Sequence, residues 1–196
     1  MLLLGSKLAN YPVMSLQVGS EIARTEYPII DPKKLKIIAY HLQGPLIHKN
    51  PENTLTVDDI RELSSLGFII DSIDDLVDPS DIIRLSEVID LNFHLIDHRV
   101  ETKKGKKLGK VTDYTIDSAT FTIFQLIVKR PLMQSLNDSE LTINRSQIVE
   151  VDDERIIIKH DTETVELGAL ETNDFNSGYI NPFRKHEVPA EPTETE

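Results

Sequence analysis

Residues 105–131 read GKKLGKVTDYTIDSATFTIFQLIVKRP. Residues 110–116 alternate polar and apolar side chains, Asp117, Ser118, Ala119 and Thr120 carry a turn signal, and residues 121–128 are rich in aromatic and β-branched types. Such residues favour a pleated, half-buried surface, so the stretch predicts a long β-hairpin. The chain carries this pattern twice. Residues 19–45, GSEIARTEYPIIDPKKLKIIAYHLQGP, overlay it without a gap at a constant offset of 86 residues.

At that offset Gly19 falls on Gly105, Ile30-Asp31 on Ile116-Asp117, Ile37 on Ile123 and Pro45-Leu46 on Pro131-Leu132. Further along, Leu55-Thr56 falls on Leu141-Thr142, Ile70 on Ile156 and Asp75 on Asp161. Turn falls on turn, and the apolar positions Leu35, Ile37 and Ile38 fall on Phe121, Ile123 and Phe124. Self-similarity at a fixed period marks repeated structural units, and two copies are too few for a solenoid. The expectation is a mainly β chain with two small domains in tandem.

The second copy resembles the PRC-barrel family at Gly105, Leu108-Gly109-Lys110-Val111, Asp113, Ile116-Asp117 and Leu126-Ile127-Val128. Residues 143–149, INRSQIV, are similar to that family's closing strand and turn. The first copy departs from the pattern at Ala23 and carries Pro28 inside its first strand, where proline suits an edge or a bulge. The resemblance spans roughly residues 12–75 and 97–165. It implies two tandem small PRC-barrel-like β-barrels and names no catalytic residue. Two settings come with it: the protein-binding half of the ribosome maturation factor RimM, which helps that factor dock on the small subunit, and the cytoplasmic part of the photosynthetic reaction-centre H subunit. The second setting needs a membrane helix, and no run here approaches that length.

The remaining signals divide the chain into a first barrel-like domain over residues 1–76, a bridging helix over 77–94, a second barrel-like domain over 95–170 and a tail over 171–196. Residues 2–8 read either as a first strand or as a loose apolar arm. Thr56 to Asp59 reads as a capping box, and Ile60, Leu63 and Leu66 at helical spacing before Gly67 predict one short helix. Asp78-Pro79-Ser80-Asp81 marks a second helix start, followed by an apolar stripe of Ile82, Leu85, Val88, Ile89 and Phe93. Residues 150–158 predict a hairpin with an acidic tip. The last ten residues, EVPAEPTETE, have the composition of a disordered acidic tail. Before them Tyr179, Phe183 and Arg184 read as a docking segment or as side chains packed back on the second barrel.

The chain has 196 residues, a net charge of −12, no cysteine and no tryptophan. Without cysteine there are no disulfides, thiolate metal sites or cysteine nucleophiles, which fits a reducing cytoplasm. The start, MLLLGSK, is too short for a signal-peptide core, so the expectation is a soluble cytoplasmic protein. Charge is unevenly spread. Residues 51–94 hold eleven acids against Arg61 and Arg84, whereas residues 97–133 hold eight bases against four acids. Overall acidity disfavours general binding to phosphate backbones. The basic run Lys103, Lys104, Lys106, Lys107 and Lys110 keeps a local RNA contact open, although no aromatic platform interleaves it.

His94 and His98 are four apart around Asp97, a spacing that suits two metal ligands on one helical face, but no third ligand stands near them. The pairs Asp58-Asp59, Asp74-Asp75 and Asp152-Asp153 sit at caps or turns, where acids are common for structural reasons. No phosphate-binding glycine loop, GxSxG elbow or HExxH motif occurs. The sequence therefore points to a non-enzymatic protein-interaction adaptor without cofactor or metal, with ribosome assembly or RNA metabolism as its setting. Its contacts would be Ile82, Leu85, Val88, Ile89, Tyr179, Phe183 and Arg184, with a ribosomal protein as a candidate partner. The alternative is a regulatory protein that binds a small ligand or metal between the two barrels.

Overall fold

The computed structural model describes residues 1–47, 53–131 and 140–159. The chain opens with strand β1 (Leu2–Leu4) and a 3-10 turn (Gly5–Leu8), then runs through β2 (Pro12–Ser15), β3 (Ser20–Asp31) and β4 (Lys36–Gln43). After the first undescribed segment come β5 (Thr54–Thr56), β6 (Glu62–Ser64), β7 (Gly67–Ile70) and the helix α1 (Ile83–Asp90). The second half holds β8 (Arg99–Thr102), β9 (Lys107–Asp117), β10 (Ile123–Lys129), β11 (Glu140–Asn144), β12 (Ile148–Val151) and β13 (Arg155–Ile158). The protein is mainly β, with two sheets, one of which curls into a half-barrel.

The two sheets have one topology. The first is ordered β5-β4-β3-β2-β7-β6 and the second β11-β10-β9-β8-β13-β12. The offset of the sequence repeat reappears in the hydrogen-bond register. Ile30 faces Ile37 and Arg24 faces Gln43 in the first sheet, while Ile116 faces Ile123 and Lys110 faces Lys129 in the second. Each sheet contains one parallel pair, with Val13 beside Phe68 in the first and Val100 beside Ile156 in the second. Left-handed backbone recurs too: Gly19 and Gly105 have φ of 70° and 79°, and Asn10 and Asp97 have φ of 54° and 68°.

Strand alternation delivers one continuous apolar core. Ile22, Ile30, Ile37, Tyr40 and Phe68 from the first repeat share it with Val111, Tyr114, Ile116, Phe121 and Ile123 from the second. Phe121 reaches into the first repeat's aromatic group, with its ring 6.0 Å from Phe68 and 6.4 Å from Tyr40. The two repeats also join through their backbones. Ile37 donates its amide to the Phe121 carbonyl at 3.0 Å, Ile123 donates to the Leu35 carbonyl at 2.9 Å, and Lys36 bridges Thr122. The Arg145 guanidinium ties this seam by donating to the carbonyls of Leu35 (2.9 Å), Ile123 (3.4 Å) and Lys34.

The opening residues form a strand, and it belongs to the second sheet. β1 pairs with the far half of β9, Leu2 facing Asp117 and Leu4 facing Thr115. Ser6 then donates its amide and hydroxyl to the Asp113 carboxylate. Gly5 is required there, because a Cβ would lie 2.4 Å from the Tyr114 ring. Pro28 sits between two register shifts of β3 and faces Tyr40. β2 pairs with β3 only as far as Arg24, so Pro28 lies where β3 has lost that neighbour, a place that tolerates proline.

The helix expected after Thr56 is not formed. Val57–Asp59 is a 3-10 turn, and β6 and β7 follow as a hairpin. The Thr56 hydroxyl donates to the Asp59 carboxylate at 2.6 Å instead of accepting from the backbone. The Arg61 amide goes to the Ile69 carbonyl at 2.9 Å, which commits the segment to the sheet. Gly67 serves a strand crossing, with φ of 142° and the Pro12 carbonyl oxygen only 2.4 Å from where a Cβ would stand.

The Asp78 cap is present, accepting from the Ser80 amide at 2.9 Å, with Pro79 opening a 3-10 turn before α1. The helix packs on the outside of the first sheet. Leu85 is buried against Ile29 and Ala39, with Ile82 and Val88 half-buried beside Ile38 and Val77. Burying one such leucine contributes about 2 kcal/mol. Arg84 adds an ion pair to Asp31 at 3.6 Å. Most of the apolar stripe is thus spent inside the chain, and Ile89 stays partly exposed at 37%.

Candidate binding grooves

Two hollows occupy the same place in the two repeats, at the open end of the long hairpin where its flanking strand begins. In the first repeat a groove of about 850 Å³ is lined by Asn10, Glu21, Ala23, Arg24, Gln43, Gly44 and Pro45 among others. In the second repeat a groove of about 420 Å³ is lined by the matching positions Lys107, Gly109, Lys110, Lys129, Arg130 and Pro131, joined by Asp97, Arg99, Val100, Glu101 and Thr112. The local cause is shared. The flanking strand leaves a chain reversal at Asn10 or Asp97, whose left-handed backbone turns it into the sheet. Its pairing with the hairpin then slips, between Val13 and Met14 in one case and Val100 and Glu101 in the other.

The floor of the second groove depends on Gly109. Its φ is 152°, and a Cβ would stand 2.0 Å from the Lys129 carbonyl oxygen. β9 and β10 therefore approach closely at a point with no side chain above them, and Val100, Thr112 and Pro131 complete the floor. This is a position where close approach demands glycine.

The two grooves differ in charge. In the first, Arg24 is fully engaged: its guanidinium meets the Glu21 carboxylate at 2.7 and 2.8 Å and the Asn10 carbonyl at 3.0 Å. In the second, Lys107 stands where Glu21 stands, and Lys129 and Arg130 replace Gln43 and Gly44. Among the described residues no carboxylate pairs with Lys107, Lys110, Lys129 or Arg130. Arg99, by contrast, is held by Glu154 at 3.0 Å, and Arg155 meets Asp152 at 3.2 Å and Glu101 at 3.7 Å.

The five lysines singled out in the sequence divide between two places. Lys107 and Lys110 line the groove, whereas Lys103, Lys104 and Lys106 lie on the exposed turn beside it. That turn is tied down by the Lys103 amide on the Ile158 carbonyl at 3.2 Å and by the Lys106 amide on the Thr102 hydroxyl at 3.2 Å. Lys129 and Arg130, which the sequence places on the return strand of the same hairpin, and Arg99 join the basic set across the sheet.

His98 has a structural role. It is buried, and its two ring nitrogens face the carbonyl oxygens of His94 at 2.5 Å and Asp152 at 3.0 Å. A neutral ring donates to one of these and only the imidazolium to both. His94 points elsewhere, to the Asn92 carbonyl at 2.9 Å. Among the described residues no three acidic or histidine side chains converge as a metal-ligand set.

The aspartate pairs hold turns. Asp75 accepts from the Asp71 and Ser72 amides at 3.0 and 2.9 Å, and Asp152 accepts from the Glu154 and Arg155 amides at 2.9 and 2.8 Å. The Glu154 amide foremost holds the Asp152 carboxyl below the usual carboxylate range. Burial raises the Tyr40 and Tyr114 hydroxyls well above the ordinary phenol value. Tyr179, Phe183 and Arg184 lie outside the described residues. Among the described residues no helix is long and apolar enough to cross a membrane. No family model matches the sequence, and a search of curated proteins finds no match.

Proposed function

We propose that this chain is a non-enzymatic cytoplasmic adaptor, built from two PRC-barrel-like modules fused so that each presents one groove at a fixed mutual placement. The observation that carries this reading is the recurrence of the groove at matched positions with diverged charge. A duplicated position whose lining has changed from Glu21, Arg24 and Gln43 to Lys107, Lys110 and Lys129 suits a different ligand. The reciprocal backbone bonds at Leu35 and Phe121, together with the shared core, support a rigid pairing in which both grooves act at once. Two linked sites gain avidity when their geometry lets both be engaged.

Ribosome assembly is the setting that the resemblance to the maturation-factor barrel favours, with a protein of the small subunit as the contact. Sedimentation of a native lysate on a gradient, with and without ribonuclease, tests it. Comigration with a ribosomal subunit or its precursor, lost after ribonuclease, supports the setting. Migration as a small free species in both samples removes ribosomes and leaves the adaptor to be sought elsewhere.

A further inference from the structure

Within this adaptor reading, we infer that the groove of the second repeat binds a short, extended, acidic peptide segment of a partner protein, carrying an apolar side chain between its carboxylates.

Three observations carry the ligand class. The rim cations Lys107, Lys110, Lys129 and Arg130 have no carboxylate partner among the described residues, while the equivalent Arg24 of the first groove is saturated by Glu21. Lys110 and Lys129 are direct cross-strand partners. Like charges placed directly opposite each other destabilise a sheet, and the first repeat avoids this with Arg24 facing Gln43. A carboxylate seated between the two lysines removes that repulsion, so the bound state relieves a cost that the free protein carries. Gly109, Val100 and Pro131 lie among the lining residues between these cations, and a volume of about 420 Å³ admits a few peptide side chains.

The same surroundings disfavour a nucleic-acid strand. Among the described residues no aromatic side chain lines the groove to stack a base. Arg99 and Glu101 also line an adjoining hollow walled by Asp152, Asp153, Glu154 and Arg155, so the positive zone ends against a hairpin tip where acids outnumber the one arginine. A phosphate backbone would run from the groove into that tip, on a protein whose net charge is −12. A peptide carries its charges where its sequence places them and stops where the groove stops.

The test uses the full chain and two fluorescein-labelled probes: a short peptide of alternating glutamate and leucine, and a single-stranded oligouridylate of equal charge. Anisotropy titration is expected to show the peptide binding more tightly, with affinity falling about tenfold between low and high salt. Lys110→Glu should abolish binding without lowering the melting temperature, because it turns a like-charge pair with Lys129 into an opposite one. Lys33→Glu, the same charge change on the distant β3–β4 turn, should leave binding within a factor of about two. Tighter binding of oligouridylate overturns the peptide assignment while the adaptor reading stands. Failure of both probes to bind, or peptide binding indifferent to Lys110→Glu, overturns the groove as the site. The gradient experiment decides the ribosomal setting independently.

Discussion

Leu35 and Phe121 stand 86 residues apart at the same point of the two repeats, and each lends its carbonyl to an amide of the other repeat. Both have left-handed backbone, with φ of 45° and 55°, which costs a residue with a Cβ roughly 1 kcal/mol. In this conformation the two carbonyls accept from the amides of Ile123 and Ile37. An exchange in which i meets j and j meets i is the signature of a twofold interface, here within one chain. Strain at each residue is offset by a bond that exists only when the repeats are joined.

The seam should therefore control the stability of both halves. We expect the described portion to unfold in one transition, with Phe121→Ala lowering its stability by about 3–5 kcal/mol, the usual cost of truncating a core aromatic. Chemical denaturation followed by far-ultraviolet circular dichroism and by tyrosine fluorescence checks it. Two separated transitions, with Phe121→Ala shifting only one, would mean that the repeats are independent domains.

The two glycines that flank the start of β9 should behave very differently. Gly105 has φ of 79° and open space around its Cβ position, whereas Gly109 has φ of 152° and the Lys129 carbonyl oxygen 2.0 Å from that position. Gly105→Ala then costs about 1–2 kcal/mol from backbone strain alone. Gly109→Ala adds a clash with backbone that cannot swing aside, and should cost more than about 3 kcal/mol. Equal melting temperatures for the two variants would refute the close crossing beneath the second groove.

Much of this architecture was legible in the sequence because its signals are local and repeated. The alternation around Val111 and Ile116, the turn at Asp117 and the constant offset all report on one hairpin and its copy. The hairpin of β6 and β7 reads as a helix because Ile60, Leu63 and Leu66 happen to fall three apart. What decides it is non-local: Gly67 must pass the Pro12 carbonyl, a contact from the far end of the repeat. The destination of Leu2–Leu4 is hidden for the same reason, since a short apolar strand does not state which sheet edge it joins. The basic run is visible as lysines, but only the cross-strand register shows that Lys110 faces Lys129 while Lys103 and Lys104 point from a turn.

Acid should weaken the turns. Asp78, Asp117 and Asp152 have carboxyls held below the usual carboxylate range, first of all by the amides of Ser80, Ala119 and Glu154 respectively. A lowered value in the folded state means that the contribution is full above the unfolded value of about 4 and is lost as pH falls through the folded one. Asp152→Asn should melt below the unmodified protein at neutral pH, and the gap should close as the pH falls below about 4. A gap independent of pH would show that the side chain's shape matters there and its charge does not.

Tyr40 supplies a test of opposite sign. Its ring is buried between Phe68 and Phe121, yet among the described residues its hydroxyl meets no hydrogen-bond partner. A buried polar group left unpaired forfeits its hydration without recovering it, at a cost of about 1–3 kcal/mol. Removing the oxygen while keeping the ring leaves the aromatic packing and the seam intact. Tyr40→Phe is therefore expected to raise stability by about 1 kcal/mol, against the general tendency of core substitutions to lower it. Urea denaturation at equal slope measures the difference directly. A loss of stability on Tyr40→Phe would reveal a partner for the hydroxyl, an ordered water or a residue beyond the described ones, and would make that oxygen a structural contact in its own right.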